Sequence, residues 1–252
     1  DADGGIWAVT LGGVSHFDFQ SITVLDAKDG MDSGAIRDIA STADGNVWLL
    51  AEDRTAGMLS RFDGRRIVKT TREAGLPGTS ISCLHLDKDG ALWAGDDQAP
   101  VARLESSGIE AVGPHFAPVP ESGPVKVLSR SITGELWYGN QKGAFILGQP
   151  DTTGQAMGSI SYAEAGPAGS MWFAGDEGIW RVLPSAGESS PGSGVHHFTT
   201  ENGLPKNDVR GMAALPDGSL LAATMGGMAR FDGSKFNPWP RDLTRLHHVR
   251  CF

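Results

Sequence analysis

One five-residue phrase is written six times along this chain, and a repeat of that kind limits the fold more than any single residue can. It reads Asp3-Gly4-Gly5-Ile6-Trp7, Asp44-Gly45-Asn46-Val47-Trp48, Asp89-Gly90-Ala91-Leu92-Trp93, Thr133-Gly134-Glu135-Leu136-Trp137 and Ala168-Gly169-Ser170-Met171-Trp172, then a worn Asp217-Gly218-Ser219-Leu220-Leu221. From Trp7 the last position recurs after 41, 45, 44, 35 and 49 residues. At that period, supersecondary units too small to bury their own apolar faces stack into a common core.

The second unit shows what each copy spells. Ala35 to Ala40, Val47 to Leu50, Met58 to Phe62 and Ile67 to Thr70 read as four short strands. Asp44-Gly45 and Asp63-Gly64 stand between them, where glycine supplies the positive φ of a two-residue hairpin turn. Short β-branched and aromatic segments at this spacing form a meander without crossover helices. Other landmarks keep the same order. Gly30-Met31-Asp32, Gly75-Leu76-Pro77 and Gly203-Leu204-Pro205 each precede a first strand, Phe62-Asp63-Gly64 returns as Phe231-Asp232-Gly233, and Gly12-Gly13 returns as Gly226-Gly227.

Such units predict an all-β fold, a β-propeller of four-stranded antiparallel blades. Six blades are expected, and the alternative is part of a seven-bladed ring. The chain starts at a second strand and ends in Leu246 to Phe252, which reads as a first strand, so the C-terminal segment is expected to complete the first blade. The 35-residue interval predicts that the fourth unit lacks its outermost strand, while Pro114 to Pro124 and Ser185 to Gly194 read as loops by composition.

Charge and length narrow the functional classes. A chain of 252 residues, 40% hydrophobic, can bury an ample core. The net charge of −9, with no offsetting Lys/Arg cluster, speaks against nucleic acid as a partner. No apolar run approaches the length of about 20 residues that spans a bilayer. Residues 1–252 read as a single domain, and because Asp1 falls inside a repeat, as a piece of a longer polypeptide. Cys83 and Cys251 form neither a disulfide framework nor a metal-ligand spacing.

The ordered landmarks, Gly-Leu-Pro before a strand, Asp-x-Asp-Gly-x-Leu-Trp, the Gly-Gly turn and Phe-Asp-Gly, resemble the two-component regulator propeller repeats. Those repeats belong to the extracytoplasmic sensor regions of bacterial hybrid histidine kinases and related signalling proteins. The resemblance is strongest over residues 1 to 110 and 195 to 240. It implies a periplasmic or extracytoplasmic, non-catalytic, ligand-sensing module, with signalling output and homodimer formation residing in the full-length protein.

Site residues follow from aligning first strands on the turn glycine. Eight residues before it stand Arg37, Ser82, Lys126, Ser161 and Arg210. If first strands surround a channel, Arg37, Lys126 and Arg210 put basic groups at its mouth and favour a small polar or anionic ligand. The competing reading has each base pairing sideways with an Asp of its own blade, such as Asp38 or Asp208. Loops between second and third strands add an acidic rim at Asp96, Asp97, Asp176 and Glu177, a seat for a sugar derivative, although exposed loops are ordinarily charged.

The five repeat Trp residues read as packing between blades. The Asp-Gly pairs read as turns and not calcium loops, so no metal or other cofactor is expected. No catalytic residue is assigned, since the seven His residues fall in no recognisable motif. Two further classes stay open: a lyase or lactonase with a metal-assisted site in the channel, and a protein-docking scaffold.

Overall fold

The structure, a computed structural model, describes residues 5–10, 13–18, 20–31, 35–52, 57–70, 76, 78, 80–87, 89–96, 101–105, 115–118, 125–148, 157–166, 169–183, 194–215 and 217–239. The chain divides into two compact units, Asp1–Val125 and Lys126–Phe252. Among the described residues, all regular structure is β-strand apart from short 3-10 turns, and no helix is long and apolar enough to cross a membrane.

The first unit holds three antiparallel sheets, each built from strands in chain order. They are β1 (Ile6–Thr10), β2 (Gly13–Phe17) and β3 (Ile22–Leu25); β4 (Ala35–Ser41), β5 (Val47–Glu52), β6 (Gly57–Phe62) and β7 (Ile67–Thr70); and β8 (Ile81–Leu86), β9 (Leu92–Asp96), β10 (Ala102–Glu105) and β11 (His115–Pro118). The second unit holds β12 (Val127–Arg130), β13 (Leu136–Gly139) and β14 (Ala144–Ile146); β15 (Ile160–Ala165), β16 (Met171–Gly175), β17 (Gly178–Val182) and β18 (Val195–Phe198); and β19 (Val209–Ala214), β20 (Leu220–Thr224), β21 (Gly227–Phe231) and β22 (Phe236–Pro238). These are β-propeller blades, one for each repeat. The sheet of the fourth unit shows three strands among the described residues; residues 149–156, where an outermost strand would follow β14, lie outside them.

Sheets pack face to face through the repeat aromatics. Trp7 packs on the apolar cluster between the first two sheets and Trp48 lies in the one between the second and third. Trp137 and Trp172 hold the same place between successive sheets of the second unit. Fully burying rings of this size is the main apolar gain available to such thin units. The packing role predicted for these four Trp residues is therefore observed.

Three local expectations need correction or limit. The Asp-Gly turns between first and second strands are three-residue loops, whereas at Asp63-Gly64 the Asp63 amide donates to the Arg66 carbonyl across the two residues expected. The Thr42 amide donates to the Asn46 carbonyl and the Gly45 amide to the Thr42 carbonyl, and the pattern repeats at Asp87, Ser131 and Leu215. Gly45, Gly90, Gly134, Gly169 and Gly218 close them with φ between 79° and 97°, the left-handed geometry that ends such a loop. The stretch Pro114 to Pro124, expected to loop out, contains β11. This strand lies at the edge of its sheet, where proline is tolerated because no ladder hydrogen bond is lost. The proposed closing segment, residues 246–252, lies outside the described residues, as do Cys251 and the expected loop from 185 to 193.

The linking landmarks have a common geometry. Ala27–Asp29 and Thr200–Asn202 are 3-10 turns, each with a capping box, made by Asp26 with Asp29 and by Thr199 with Asn202. Each ends on a left-handed glycine, Gly30 at φ 94° and Gly203 at φ 93°. The next residue, Met31 or Leu204, then turns into the core.

Candidate functional site

The residues singled out on the first strands share a backbone device. Register slips by one residue between Ile36 and Asp38, Ile81 and Cys83, Ile160 and Tyr162, and Val209 and Gly211. The skipped residues are Arg37, Ser82, Ser161 and Arg210. Lys126 stands at the same offset, just before Val127 pairs with Gly139, and its own amide donates to the Gly139 carbonyl. A bulge leaves one residue outside the ladder and re-aims its side chain. The sequence alignment on the turn glycine therefore picked out a bulge series without any sign of the bulge itself.

In the first unit, Arg37 is exposed on β4. Its neighbour Asp38 turns to the adjacent sheet, where Oδ2 accepts the Leu84 amide at 2.8 Å while Oδ1 accepts the Ile39 amide at 2.8 Å. Burial pushes the Asp38 carboxyl above its usual range despite these two bonds and the nearby Arg37 charge. Ser82 is buried and its hydroxyl donates to the Val125 carbonyl. Asp96 is fully buried rather than placed on an acidic rim. It accepts the Ser80 amide at 3.1 Å, and its carboxylate fills the space above Gly78, so it ties down the segment entering β8. Asp97 lies outside the described residues. The Cys83 thiol, buried beside Asp38, is pushed up to about 12 and is an inert core group.

The second unit gathers more of the expected groups. β12, β15 and β19 lie next to one another. The Lys126 ammonium is 3.5 Å from the Ser159 hydroxyl at the entry to β15, and Ser161 is exposed. Arg210 forms an ion pair with Asp208 at 2.7 Å, as the sideways-pairing reading expected. That hydrogen bond holds the guanidinium above its usual range, and Tyr162 and Asp176 add smaller contributions of the same sign. The pair is incomplete, because Arg210 Nε and Asp208 Oδ1 are buried without a hydrogen-bond partner. Asp176 and Glu177 form the exposed turn between β16 and β17. His197 stacks on Trp180, ring centroids 4.3 Å apart, and its Nε2 donates to the Glu177 carbonyl at 2.9 Å, which fixes that turn. Lys126, Ser161, Arg210 and Asp176 thus offer donors and acceptors of both signs at one end of adjacent strands.

At the other end of these strands is a cleft of about 680 Å³ that the sequence reading did not anticipate. Trp172 and Arg181 line one side, and the turns at Asp217 and Asp232, with Asn237 and Trp239, line the other. Its arginines belong to a second repeated pairing. Trp48 stands opposite Arg61, Trp93 opposite Arg103, Trp172 opposite Arg181, and Leu221 opposite Arg230. Arg103 lies 5.4 Å above the Trp93 ring and Arg181 5.2 Å above the Trp172 ring. Where the sixth copy has Leu221, Arg230 instead lies 5.6 Å from Trp239. An Arg in the third strand at the register of Trp48, Trp93 and Trp172, and of Leu221 in the sixth copy, is the sequence signal that could have found this series; Trp7 and Trp137 face His16 and Ile146 instead. Among the described residues no group of three or more His, Cys, Asp or Glu side chains is placed to hold a metal ion.

Comparisons with known proteins agree with the architecture. Residues 75–98 match the model of the two component regulator propeller family. A search of curated proteins gives no match. Among solved structures, the chain is similar to a catalytically inactive virginiamycin B lyase from Staphylococcus aureus, solved with quinupristin. The TM-score is 0.68 at 14% identity, over 96% of this chain and 86% of that one. It is also similar to PorZ, a surface component of the type-IX secretion system of Porphyromonas gingivalis, with TM-score 0.67 and 16% identity, over 96% of this chain and 40% of that one. YCF48 bound to the D1 peptide gives TM-score 0.64 at 12% identity, over 98% and 79%. At these identities the likeness is one of fold, and the three proteins do different things.

Proposed function

We propose that this chain is a non-catalytic, extracytoplasmic ligand-sensing propeller of a bacterial two-component signalling protein, and that it binds a small polar or anionic ligand, such as an acidic sugar, at the bulge end of its first strands. The observation that carries the reading is the bulge series, which lifts Arg37, Ser82, Ser161 and Arg210 out of their ladders at one repeat position, with Lys126 at the same offset of its own strand. The match of residues 75–98 to a two component regulator propeller repeat supports the signalling context. In the second unit the donors Lys126 and Arg210 would take a carboxylate, and Asp176 and Ser161 would take hydroxyls. A ligand spanning neighbouring strands favours one arrangement of the sheets over others, and that population bias is what a sensor hands to its output.

The experiment is calorimetric titration with glucuronate, on the wild type and on the Lys126→Ala/Arg210→Ala double variant. Loss of two charge-assisted contacts is expected to weaken binding at least about tenfold while circular dichroism and the unfolding midpoint stay native. Undiminished affinity in a folded double variant would remove the bulge end as the site.

A further inference from the structure

We infer that the cleft beside Arg181 is a second binding site, for a small molecule carrying a carboxylate on a flat ring. The inference starts from a broken repeat. At this register two arginines are paired with the Asp of the turn in their own sheet. Arg103 pairs with Asp89 at 3.6 Å, and Arg230 pairs with Asp217 while its Nε donates to Ser219 at 2.9 Å. Arg61 has Asp44 in the same repeat position, although that carboxylate accepts from Thr42 and Asn46. The fifth copy keeps the Arg and loses the acid, because its turn reads Ala168-Gly169 where the other Arg-bearing copies read Asp-Gly.

Arg181 is consequently left with aromatic contacts alone, 5.2 Å from the Trp172 ring and 6.0 Å from that of Phe231. Among the described residues no carboxylate pairs with it, and its buried Nε has no hydrogen-bond partner. An arginine held flat by rings and short of an anion is a preorganised carboxylate receptor, since the guanidinium fork matches a carboxylate in two parallel bonds. Cleft size points the same way, about 680 Å³ being within the usual range of small-molecule sites. The far wall sets the rest of the ligand. Trp239 and Pro238 offer flat apolar surface, while Asn237 and Asp232 are engaged with each other, the Asn237 amide donating to the carboxylate at 2.7 Å. Asp217 is committed to Arg230 and repels a second anion less than a free carboxylate would. A ring resting against Trp239 with its carboxylate on Arg181 meets each of these features.

The test is a nuclear magnetic resonance titration with benzoate, and with benzyl alcohol as the uncharged counterpart. Saturable shifts are expected at the Trp239 indole and at residues 217–219, with benzyl alcohol about tenfold weaker. Arg181→Gln should abolish the benzoate shifts. Because Arg181 packs on core rings, the decisive variant is Ala168→Asp, which restores the acid of the repeat. It should raise or preserve the unfolding midpoint and still abolish binding, whereas Arg210→Ala should leave benzoate binding intact. Absence of saturable shifts in the wild type, or their persistence in both Arg181→Gln and Ala168→Asp, would overturn the proposal.

Discussion

At the scale of single residues, each repeated position has one physical task. Trp48 and Trp172 are almost fully buried between sheets, so replacing Trp48 by Ala should cost about 3–5 kcal/mol, read from urea unfolding at constant slope. Gly203 is fixed by sterics as well as by its positive φ, because a β-carbon there would collide with the Phe236 carbonyl oxygen. Gly203→Ala should therefore lower the unfolding midpoint more than Gly233→Ala, whose β-carbon meets nothing within 4 Å and which strains only the backbone. The turn carboxylates set the acid limit. Asp63 accepts the amides of Arg65 and Arg66, and Asp232 those of Ser234 and Lys235, so backbone hydrogen bonds hold both carboxyls below the usual value of 3.8. Groups with depressed folded values stabilise the fold above their unfolded pKa, and the contribution is lost as pH falls through the folded value. Stability should thus decline below about pH 4, and Asp232→Asn should flatten that decline. Burial gives Asp38 and Glu164 the opposite sign, since both are raised. Their contribution is complete at low pH and shrinks as pH rises through their folded values.

At the scale of elements, strands and turns were legible because their signals are local. The second sheet follows the expected four strands to within two residues at each end, and the apolar residues at alternate positions fill the clusters between sheets. The bulges were not legible, because one skipped residue changes no hydrophobic period over strands only six residues long. Nor was β11, since Pro118 looks like a breaker unless the strand is known to lie at an edge. Asp38 shows what a bulge accomplishes: shifted by one residue, its carboxylate reaches the Leu84 amide of the next sheet. Asp38→Asn keeps an acceptor for that amide and removes the buried charge but turns its NH2 toward the Ile39 amide, so it should cost less than Asp38→Ala without being neutral. Asp38→Ala leaves the amide unpaired and should cost about 1–3 kcal/mol. Equal losses for the two variants would show that the inter-sheet bond is not what holds Asp38 in place.

At the scale of the whole molecule, the sequence separated architecture from function in an instructive way. Five Trp and six turn positions repeat because every blade must solve the same packing problem, and what repeats can be read from one chain. A binding site depends on where the copies differ: Arg, Ser, Lys, Ser and Arg at the position eight residues before the turn glycine, or Ala168 in place of Asp. The first difference was visible by alignment, but not that Asp96 would be buried under Gly78 or that Arg210 would be half-committed to Asp208. The second passed unnoticed because its meaning lies across a strand pair, in Arg181. The account holds that repeated positions build the sheets and that departures at the bulge end take the ligand. Hydrogen–deuterium exchange of the wild type with and without saturating glucuronate tests this most directly. Added protection confined to the segments around Lys126, Ile160 to Tyr162 and Val209 to Gly211, with the Trp-bearing strands unchanged, is the predicted result, and protection that spares those segments would contradict it.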